Sequence, residues 1–314
     1  MTAEERARCA ALIREAGSQV TPETIQAMFE LFAPAHRASS YGAPHIERDL
    51  GYGSDPRHRL DVHTPTEPGA ASVPVLLFVH GGGFVGGDKH TPDTPYYDHV
   101  GGWAVGRGLL GVTMTYRLAP QHGWPAGAED VAAAVAWVRA HIGGYGGDPE
   151  RIVLAGHSAG AAHVASYLAR YPEEDGPDKD GVAAAAMFSG IYDLETAERN
   201  DLLRSYFGPD PVEYSSRSPL PGLLGSRVPM LFSVAELDPP DFHRQAAVVL
   251  EALFGRDGAI PPFVWVQGHN HISEIASLGV DDEALGVPLL RFIEHAVTLT
   301  SPVGLSARPL WGSL

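Results

Sequence analysis

The sequence is poor in cysteine, in positive charge and in long apolar runs. Cys9 is the single cysteine in 314 residues, which excludes an intrachain disulfide and is typical of a reducing compartment. Lys and Arg total 22 against 38 Asp and Glu, so the net charge is −16 and we expect no nucleic acid or anionic membrane as a partner. No apolar run approaches the length of a membrane span, and the first residues lack the apolar segment of a secretion signal. We therefore expect a cytoplasmic protein.

Histidines are numerous, with 15 in the chain, but their spacing does not match a metal site of the H-E-x-x-H kind. His269 and His271 are only two residues apart, and two ligands do not complete a site. We expect neither a metal nor an organic cofactor.

The fold class follows from how apolar stretches alternate along the chain. Near-continuous apolar stretches such as Val73–His80 and Arg151–Ala155 alternate with amphipathic ones such as Ala128–His141. That alternation predicts an α/β fold with a mostly parallel sheet of about eight strands and helices on both faces. Before it, His45–Leu50 and Arg59–His63 predict an antiparallel hairpin at the sheet edge.

Two segments interrupt the alternation. The N-terminal one is helical in pattern with a break at Thr21, a good N-cap that precedes a proline. The other is a Pro- and Ser-rich insertion over residues 191–227, in which Leu194–Phe207 can be a helix. We expect the two segments to meet above the strand ends as a small helical cap. The predicted division is an N-terminal cap segment, an α/β domain that contains the insertion, and a C-terminal tail: residues 1–44, 45–300 and 301–314.

The stretch Gly156–Gly160, of sequence Gly-His-Ser-Ala-Gly, carries the clearest chemical signal. It follows the apolar run Ile152–Ala155 and precedes a helical stretch from Ala161 to about Tyr171. A strand, a G-x-S-x-G turn and a helix form the context that a nucleophile elbow requires. Glycine at both ends lets strand and helix approach closely while Ser158 is pushed out for attack. An ordinary turn between a strand and a helix is the alternative interpretation.

A serine nucleophile needs a base, and the base needs an acid that orients it. With an elbow of this kind, acid and base follow the serine in that order, each on a loop after a strand. The stretch Val228–Val234 predicts such a strand and leads to two acids, Glu236 and Asp238. Two prolines follow Asp238 and suit a loop that begins there, which favours Asp238.

The base comes after the last predicted strand, Phe263–Gln267. Two histidines follow it, His269 and His271. Their position after the strand favours a catalytic role over a solvent-facing one, but it leaves the choice between them open.

A glycine-rich loop over His80–Phe84, of sequence His-Gly-Gly-Gly-Phe, follows the apolar run Val75–Val79. Acyl transfer places negative charge on the substrate's carbonyl oxygen, which backbone N–H donors must stabilise. A triple glycine lets the main chain curl around that oxygen, and we expect donors at Gly82 and Gly83. Ala159 follows the nucleophile at the positive end of its helix and is the third expected donor.

Together these motifs resemble those of the α/β-hydrolase superfamily, in the branch of hormone-sensitive lipase and bacterial carboxylesterases. His80–Phe84 looks like that family's oxyanion signature, and Tyr116–Pro120 looks like its characteristic stretch after the next strand. Gly156–Gly160 looks like its nucleophile elbow. The similarity runs from about residue 45 to residue 295.

The resemblance also bears on the base, the cap and the subfamily. In this family the base commonly falls three residues after a glycine that ends the last strand; here that glycine is Gly268, which implies His271. The family's cap is built from the N-terminus and an insertion before the acid, as in the segments above. The chain has His157 where hormone-sensitive-lipase relatives usually carry Asp, and Ala161 where they often carry Gly. Both departures make the chain more similar to the wider group of carboxylesterases and arylformamidase-like proteins.

The leading hypothesis is a serine carboxylesterase for small, short-acyl or aryl esters, with Ser158 as nucleophile, His271 as base and Asp238 as orienting acid. An amidase, formamidase or peptidase that uses the same residues is the second hypothesis, and relative rates on matched esters and amides would distinguish the two. A non-catalytic receptor is the third; such proteins usually lack a triad member, whereas here none is lost. A homodimer through the last strand or helix is plausible.

Overall fold

The computed structural model describes residues 2–39, 43–65, 72–170, 181–280 and 283–299. The predicted C-terminal tail, residues 301–314, and the predicted helix end at Tyr171 lie outside this part of the chain. Within it, no helix is long and apolar enough to cross a membrane.

One eight-stranded sheet forms the centre of the protein, in the order β1-β2-β4-β3-β5-β6-β7-β8. In chain order the strands are β1 (His45–Gly51), β2 (Arg59–Thr64), β3 (Val73–Val79), β4 (Leu110–Met114), β5 (Gly147–His157), β6 (Ala184–Phe188), β7 (Met230–Leu237) and β8 (Phe263–Asn270). The pairs β1–β2 and β2–β4 are antiparallel, and the other neighbours are parallel. The predicted mostly parallel sheet of eight strands with an edge hairpin is confirmed.

Helices follow most of these strands. The described α-helices are α1 (Ala3–Ala16), α2 (Pro22–Ala38), α3 (Asp98–Gly106), α4 (Ala126–His141), α5 (Ala159–Arg170), α6 (Asp201–Phe207), α7 (Tyr214–Arg217), α8 (Leu220–Leu223), α9 (Pro240–Asp257), α10 (Ser273–Ala276) and α11 (Gly286–Leu299). The predicted break near Thr21 is confirmed, because the Thr21 side chain accepts a hydrogen bond from the Thr24 N–H at the start of α2.

Both faces of the sheet are covered by helices. The adjacent residues Leu77 and Phe78 of β3 point to opposite faces, because side chains alternate along a strand. Leu77 lies in a buried cluster with residues of α4, α5 and α9, such as Val131. Phe78 lies in a second buried cluster with residues of α3 and α11, such as Trp103. Burying each large apolar side chain of these clusters contributes about 1.5–3 kcal/mol, so the two layers hold the sheet between them.

The strand order sets where a site can form. The chain leaves β3 for β4 on one side and returns to β5 on the other, so neighbouring loops diverge at the carboxyl ends of β3 and β5. Ligands in open α/β sheets bind at such switch points. The loops after β3, β5, β7 and β8, which carry the predicted site residues, all begin at this edge.

One predicted helix is shorter than expected. The pattern over Leu194–Phe207 predicted a helix, but α6 covers only Asp201–Phe207. Upstream, the Asp193 carboxylate accepts hydrogen bonds from the Glu195 N–H at 3.2 Å and from the Thr196 hydroxyl at 2.8 Å. Such local bonds give the backbone an alternative to a helix. The helix then begins after Asn200, which accepts from the Leu203 N–H.

The two segments predicted as a cap pack in different places. Met28 and Phe32 of α2 lie in a buried cluster with Ile272 and Ala276, which follow β8. The insertion packs elsewhere, because Tyr206 lies in a separate cluster with the glycine-rich loop and α5. The two segments thus lie against different loops at the carboxyl edge, and their joint role as a cap remains a prediction.

Candidate active site

The elbow holds Ser158 at the junction of β5 and α5. Its φ is +56°, in the left-handed region that a non-glycine residue occupies only where its surroundings impose it. The turn is tight, since a Cβ on Gly160 would lie 2.1 Å from the carbonyl oxygen of Val79. The backbone N–H of Ser158 donates to Phe188 of β6 at 2.9 Å, which fixes the turn to the sheet. Helix α5 begins at Ala159, two residues before the predicted start.

His271 is the histidine that reaches the serine. Its Nε2 lies 2.9 Å from Ser158 Oγ, and its Nδ1 lies 2.6 Å from Asp238 Oδ1. Since a carboxylate can only accept, Nδ1 carries the proton and Nε2 is free to accept the serine proton. His269 turns elsewhere: its Nδ1 lies 3.1 Å from Ser273 Oγ, and its ring stacks with Phe32 at 6.5 Å between centroids.

Asp238 and Glu236 also have separate partners. Asp238 Oδ2 accepts from the Ser189 hydroxyl and from the Ala235 N–H, both at 2.6 Å. Glu236 instead accepts from the Gly268 N–H at 2.7 Å and so braces the loop that leads to His271. Burial opposes ionisation of Asp238, but the charge of His271 and the hydrogen bonds to the carboxylate outweigh it and hold the pKa of Asp238 below its ordinary value.

The glycine-rich loop after β3 lies beside the elbow. Gly82 has a φ of +136°, and a Cβ there would lie 2.1 Å from the Gly86 carbonyl oxygen, so the turn requires glycine. Among the backbone hydrogen bonds of the described residues, none uses the N–H of Gly82, Gly83 or Ala159. Three donors at the expected positions are therefore available to an external acceptor.

The insertion lies against this loop. Tyr206 of α6 stacks on Phe84 with 4.8 Å between ring centroids, and its hydroxyl accepts from the Gly127 N–H at 2.9 Å. A Cβ on Gly83 would lie 2.8 Å from Leu202, so α6 covers the outer side of the loop. Leu202 is nevertheless 45% exposed and offers an apolar surface next to the predicted donors.

Three polar residues that lie beside the site were not predicted as site residues from the sequence. Ser189 donates a hydrogen bond to Asp238, and His157 donates one to the backbone of His271. Glu274 lies beside His157, with 3.6 Å between Oε1 and Nε2. Ser189 could have been found because it is polar and directly follows the apolar strand β6, at the edge where the other site residues lie. Glu274 gave no such signal, since the short helix α10 that carries it was not predicted.

A family model described as an α/β-hydrolase fold matches residues 76–240. The chain belongs to the α/β-hydrolase family. The predicted resemblance to its hormone-sensitive-lipase-like branch of carboxylesterases is confirmed. The match includes the elbow, the glycine-rich loop and Asp238 but ends before His271. The place of His271 beside Ser158 is therefore known only from the distance between the two side chains.

Curated relatives are named as esterases. Esterase LipI of Mycobacterium tuberculosis is 44% identical over 113 residues, which is 36% of this chain and 34% of that protein. Esterase LipQ of the same organism is 29% identical over 272 residues, or 77% of this chain and 63% of that protein. Carboxylesterase NlhH, also from M. tuberculosis, is 39% identical over 126 residues, or 40% of this chain and 38% of that protein. The alignments thus span less than two thirds of these relatives.

Solved structures share the fold over nearly the whole chain. Esterase B from Lactobacillus rhamnosis has a TM-score of 0.69 and 17% identity, and the comparison covers 95% of this chain and 98% of that one. A hyperthermophilic esterase from the archaeon Pyrobaculum calidifontis has a TM-score of 0.64 and 21% identity, covering 96% of this chain and 99% of that one. At these identities the likeness shows the α/β-hydrolase fold.

Proposed function

We propose that this protein is a serine carboxylesterase. The observation that carries the proposal is the hydrogen-bonded series in which Ser158 Oγ lies 2.9 Å from His271 Nε2 and His271 Nδ1 lies 2.6 Å from Asp238. Such a series supplies a nucleophile, a base and an orienting acid in the geometry that acyl transfer needs.

In the proposed reaction, Ser158 attacks the ester carbonyl while His271 takes its proton. The N–H groups of Gly82, Gly83 and Ala159 stabilise the oxyanion, and His271 then donates its proton to the leaving alcohol. Asp238 remains ionised and stabilises the imidazolium throughout. Water next attacks the acyl-enzyme with His271 again as base, which releases the acid and restores Ser158.

An ester is preferred to an amide as the substrate class. Each of the three curated relatives is named as an esterase or a carboxylesterase, which supports ester hydrolysis. The complete Ser–His–Asp series also counts against a non-catalytic receptor. Leu202 offers an apolar surface beside the donors, and we propose that the substrate is a small ester with a short acyl or aryl group.

The test is hydrolysis of p-nitrophenyl esters of increasing acyl length by the parent and by Ser158→Ala. We expect the parent to be active and the variant to lose at least about a thousandfold in kcat, because the nucleophile is absent while the fold is kept. Circular dichroism of both proteins is the folding control. A folded Ser158→Ala variant that hydrolyses these esters at the parent rate would contradict the proposal.

A further inference from the structure

A cavity of about 190 Å³ lies between helix α5 and the insertion. Its walls come from the C-terminal half of α5, from α7 and α8 with the residues between them, and from Trp124, which precedes α4. Ser166, in the wall formed by α5, lies eight residues after Ser158, or about 12 Å farther along the helix that follows the elbow. The reaction proposed above gives this cavity no role.

The polar side chains that line the cavity all carry a hydrogen-bond donor. They are one tryptophan, two arginines and four serines, and no Asp or Glu is among the described residues of the lining. The chain as a whole has 38 Asp and Glu against 22 Lys and Arg, so the charge of this lining is opposite in sign to the net charge of the protein. Donors and arginines without a carboxylate favour an anion as the ligand.

Two of these donors are buried and lack an acceptor. The side chain of Ser166 is only 2% exposed. Within the part of the chain that the structure describes, neither Ser166 Oγ nor Trp124 Nε1 has a hydrogen-bond partner. A buried donor without a partner is costly, and native proteins pair such groups with protein atoms, water or a bound ion. An acceptor in the cavity that both residues line removes this cost.

Arg170 and Arg217 bring positive charge to the cavity. Their guanidinium carbons lie 4.6 and 5.4 Å from the ring centroid of Trp124. Arg217 is already engaged, because its Nη2 lies 2.6 Å from Glu213 Oε2 and its Nη1 donates to the Phe207 carbonyl oxygen. Arg170 is exposed and forms no ion pair with another described residue, so its guanidinium donors are available to an external anion.

We infer that the cavity binds a phosphate group, with Arg170 as the charged ligand and Ser166 and Trp124 as neutral donors. A phosphate group presents three or more strong acceptor oxygens and carries up to two negative charges, whereas a carboxylate has two oxygens and one charge. The planar guanidinium of arginine also matches the geometry of phosphate oxygens. Because α5 and the insertion both line the cavity, the bound phosphate joins the insertion to the helix that follows the elbow.

Isothermal titration calorimetry with inorganic phosphate at neutral pH tests this site, with the ionic strength held constant by sodium chloride. We expect the parent to bind one phosphate and to gain melting temperature in its presence. Arg170→Gln removes the available charge and should weaken binding by about tenfold or more. Arg139→Gln is the matched control, because Arg139 pairs with Glu150 on the protein surface and does not line the cavity; it should bind phosphate as the parent does.

Ser166→Ala tests the buried side of the site. The variant loses a hydroxyl that has no partner, so its melting temperature without phosphate should equal or exceed that of the parent. Its affinity for phosphate should fall about fivefold, because one donor to a charged group is lost. Parental affinity in Ser166→Ala overturns the inference, since the phosphate then lies outside the cavity.

Three further outcomes overturn the inference. The first is a parent that shows no heat of binding with phosphate and no gain in melting temperature beyond that with chloride. The second is binding at the proposed oxyanion donors instead, in which case phosphate inhibits ester hydrolysis competitively and Arg170→Gln keeps the parental affinity. The third is acetate that binds as tightly as phosphate, because the site then does not select for the additional oxygens and charge of a phosphate group.

Discussion

His157 and His163 lie on either side of Ser158 in the chain, and both are buried, but their surroundings differ. His157 donates to the His271 carbonyl oxygen. It belongs to a group of buried polar residues behind Ser158, which we call the polar cluster: His157, Ser189, Ser233, Asp238, His271 and Glu274. The ring of His163 meets those of Phe84, Tyr116 and Tyr206 edge-on at 5.4, 4.5 and 4.9 Å, a group that we call the aromatic cluster. Within the described residues, neither ring nitrogen of His163 has a hydrogen-bond partner.

The different surroundings of these two histidines indicate that the polar cluster and the aromatic cluster contribute to the site in different ways. The polar cluster holds His271 and Asp238 through hydrogen bonds from His157 and Ser189. It also contains atoms that are costly to bury, such as the unpartnered Oε1 of Glu274. The aromatic cluster supports the glycine-rich loop through Phe84, and its contribution is mainly packing. Removal of a polar side chain should therefore cost more in the polar cluster than in the aromatic cluster, where the ring nitrogens of His163 have no partner to lose.

The largest effect is expected on catalytic activity, when His271 and His269, the two histidines after β8, are each replaced by alanine. His271→Ala should reduce kcat by about ten-thousandfold or more, because it removes the base that contacts Ser158. His269→Ala removes a contact with Ser273 and the ring packing on Phe32, so it should lower the melting temperature and keep most of the activity. Kinetics on one p-nitrophenyl ester, measured well below the melting temperatures, checks both variants. Inactivity of His269→Ala with an active His271→Ala would reverse the assignment.

A smaller effect is expected when His157 and His163, the two histidines on either side of Ser158, are each replaced by leucine. His157→Leu leaves the buried carbonyl oxygen of His271 without its donor and should lower the free energy of unfolding by about 1–3 kcal/mol. His163→Leu removes two unpartnered ring nitrogens and should leave that free energy within about 1 kcal/mol of the parent. Urea unfolding at neutral pH measures both. A larger loss in His163→Leu than in His157→Leu would contradict the division into a polar and an aromatic cluster.

The last comparison concerns the pH dependence of stability, which has almost no effect at neutral pH and develops only as the pH is lowered. Burial, followed by the nearby His80, lowers the pKa of His163 from 6.5 to about 3. Between these values the unfolded chain binds a proton that the folded protein does not, so stability falls as the pH is lowered from about 6.5 toward 3. Each such histidine contributes a slope of up to about 1.4 kcal/mol per pH unit. Urea unfolding at pH 6, 5 and 4 should show a shallower loss for His163→Leu than for the parent; parallel slopes would contradict the neutral, buried state of His163.

The fold was predictable because its signals are local. Apolar strands such as Val73–Val79 and the G-x-S-x-G turn can be recognised from neighbouring residues alone, and the structure has both where the pattern indicated. The choice of Asp238 also came from a short-range signal, the two prolines after it, whereas His271 was implied by the resemblance to the family through its spacing from Gly268. Their assignment to catalysis remains a prediction that the structure's geometry supports.

The contacts that Ser189 and His157 make in the polar cluster were not predictable, because they join residues far apart in the chain. Ser189 and Asp238 are 49 positions apart, and His157 and His271 are 114 apart, so no local pattern links them. The predicted helix over Leu194–Phe207 failed for a related reason, since side-chain bonds of Asp193 compete with the first turns. Hydrogen bonds of polar side chains, both to distant residues and to neighbouring ones, therefore account for what the sequence pattern missed.

The most direct measurement of the central claim is the site at which a fluorophosphonate binds covalently. Mass spectrometry of the intact protein and of its peptides should show one adduct, on Ser158, and none on Ser158→Ala, because only a serine activated by His271 attacks the phosphorus. The His271→Ala variant should label far more slowly than the parent. A single adduct on another residue, or equal labelling of Ser158→Ala, would contradict the assignment of Ser158 as the nucleophile.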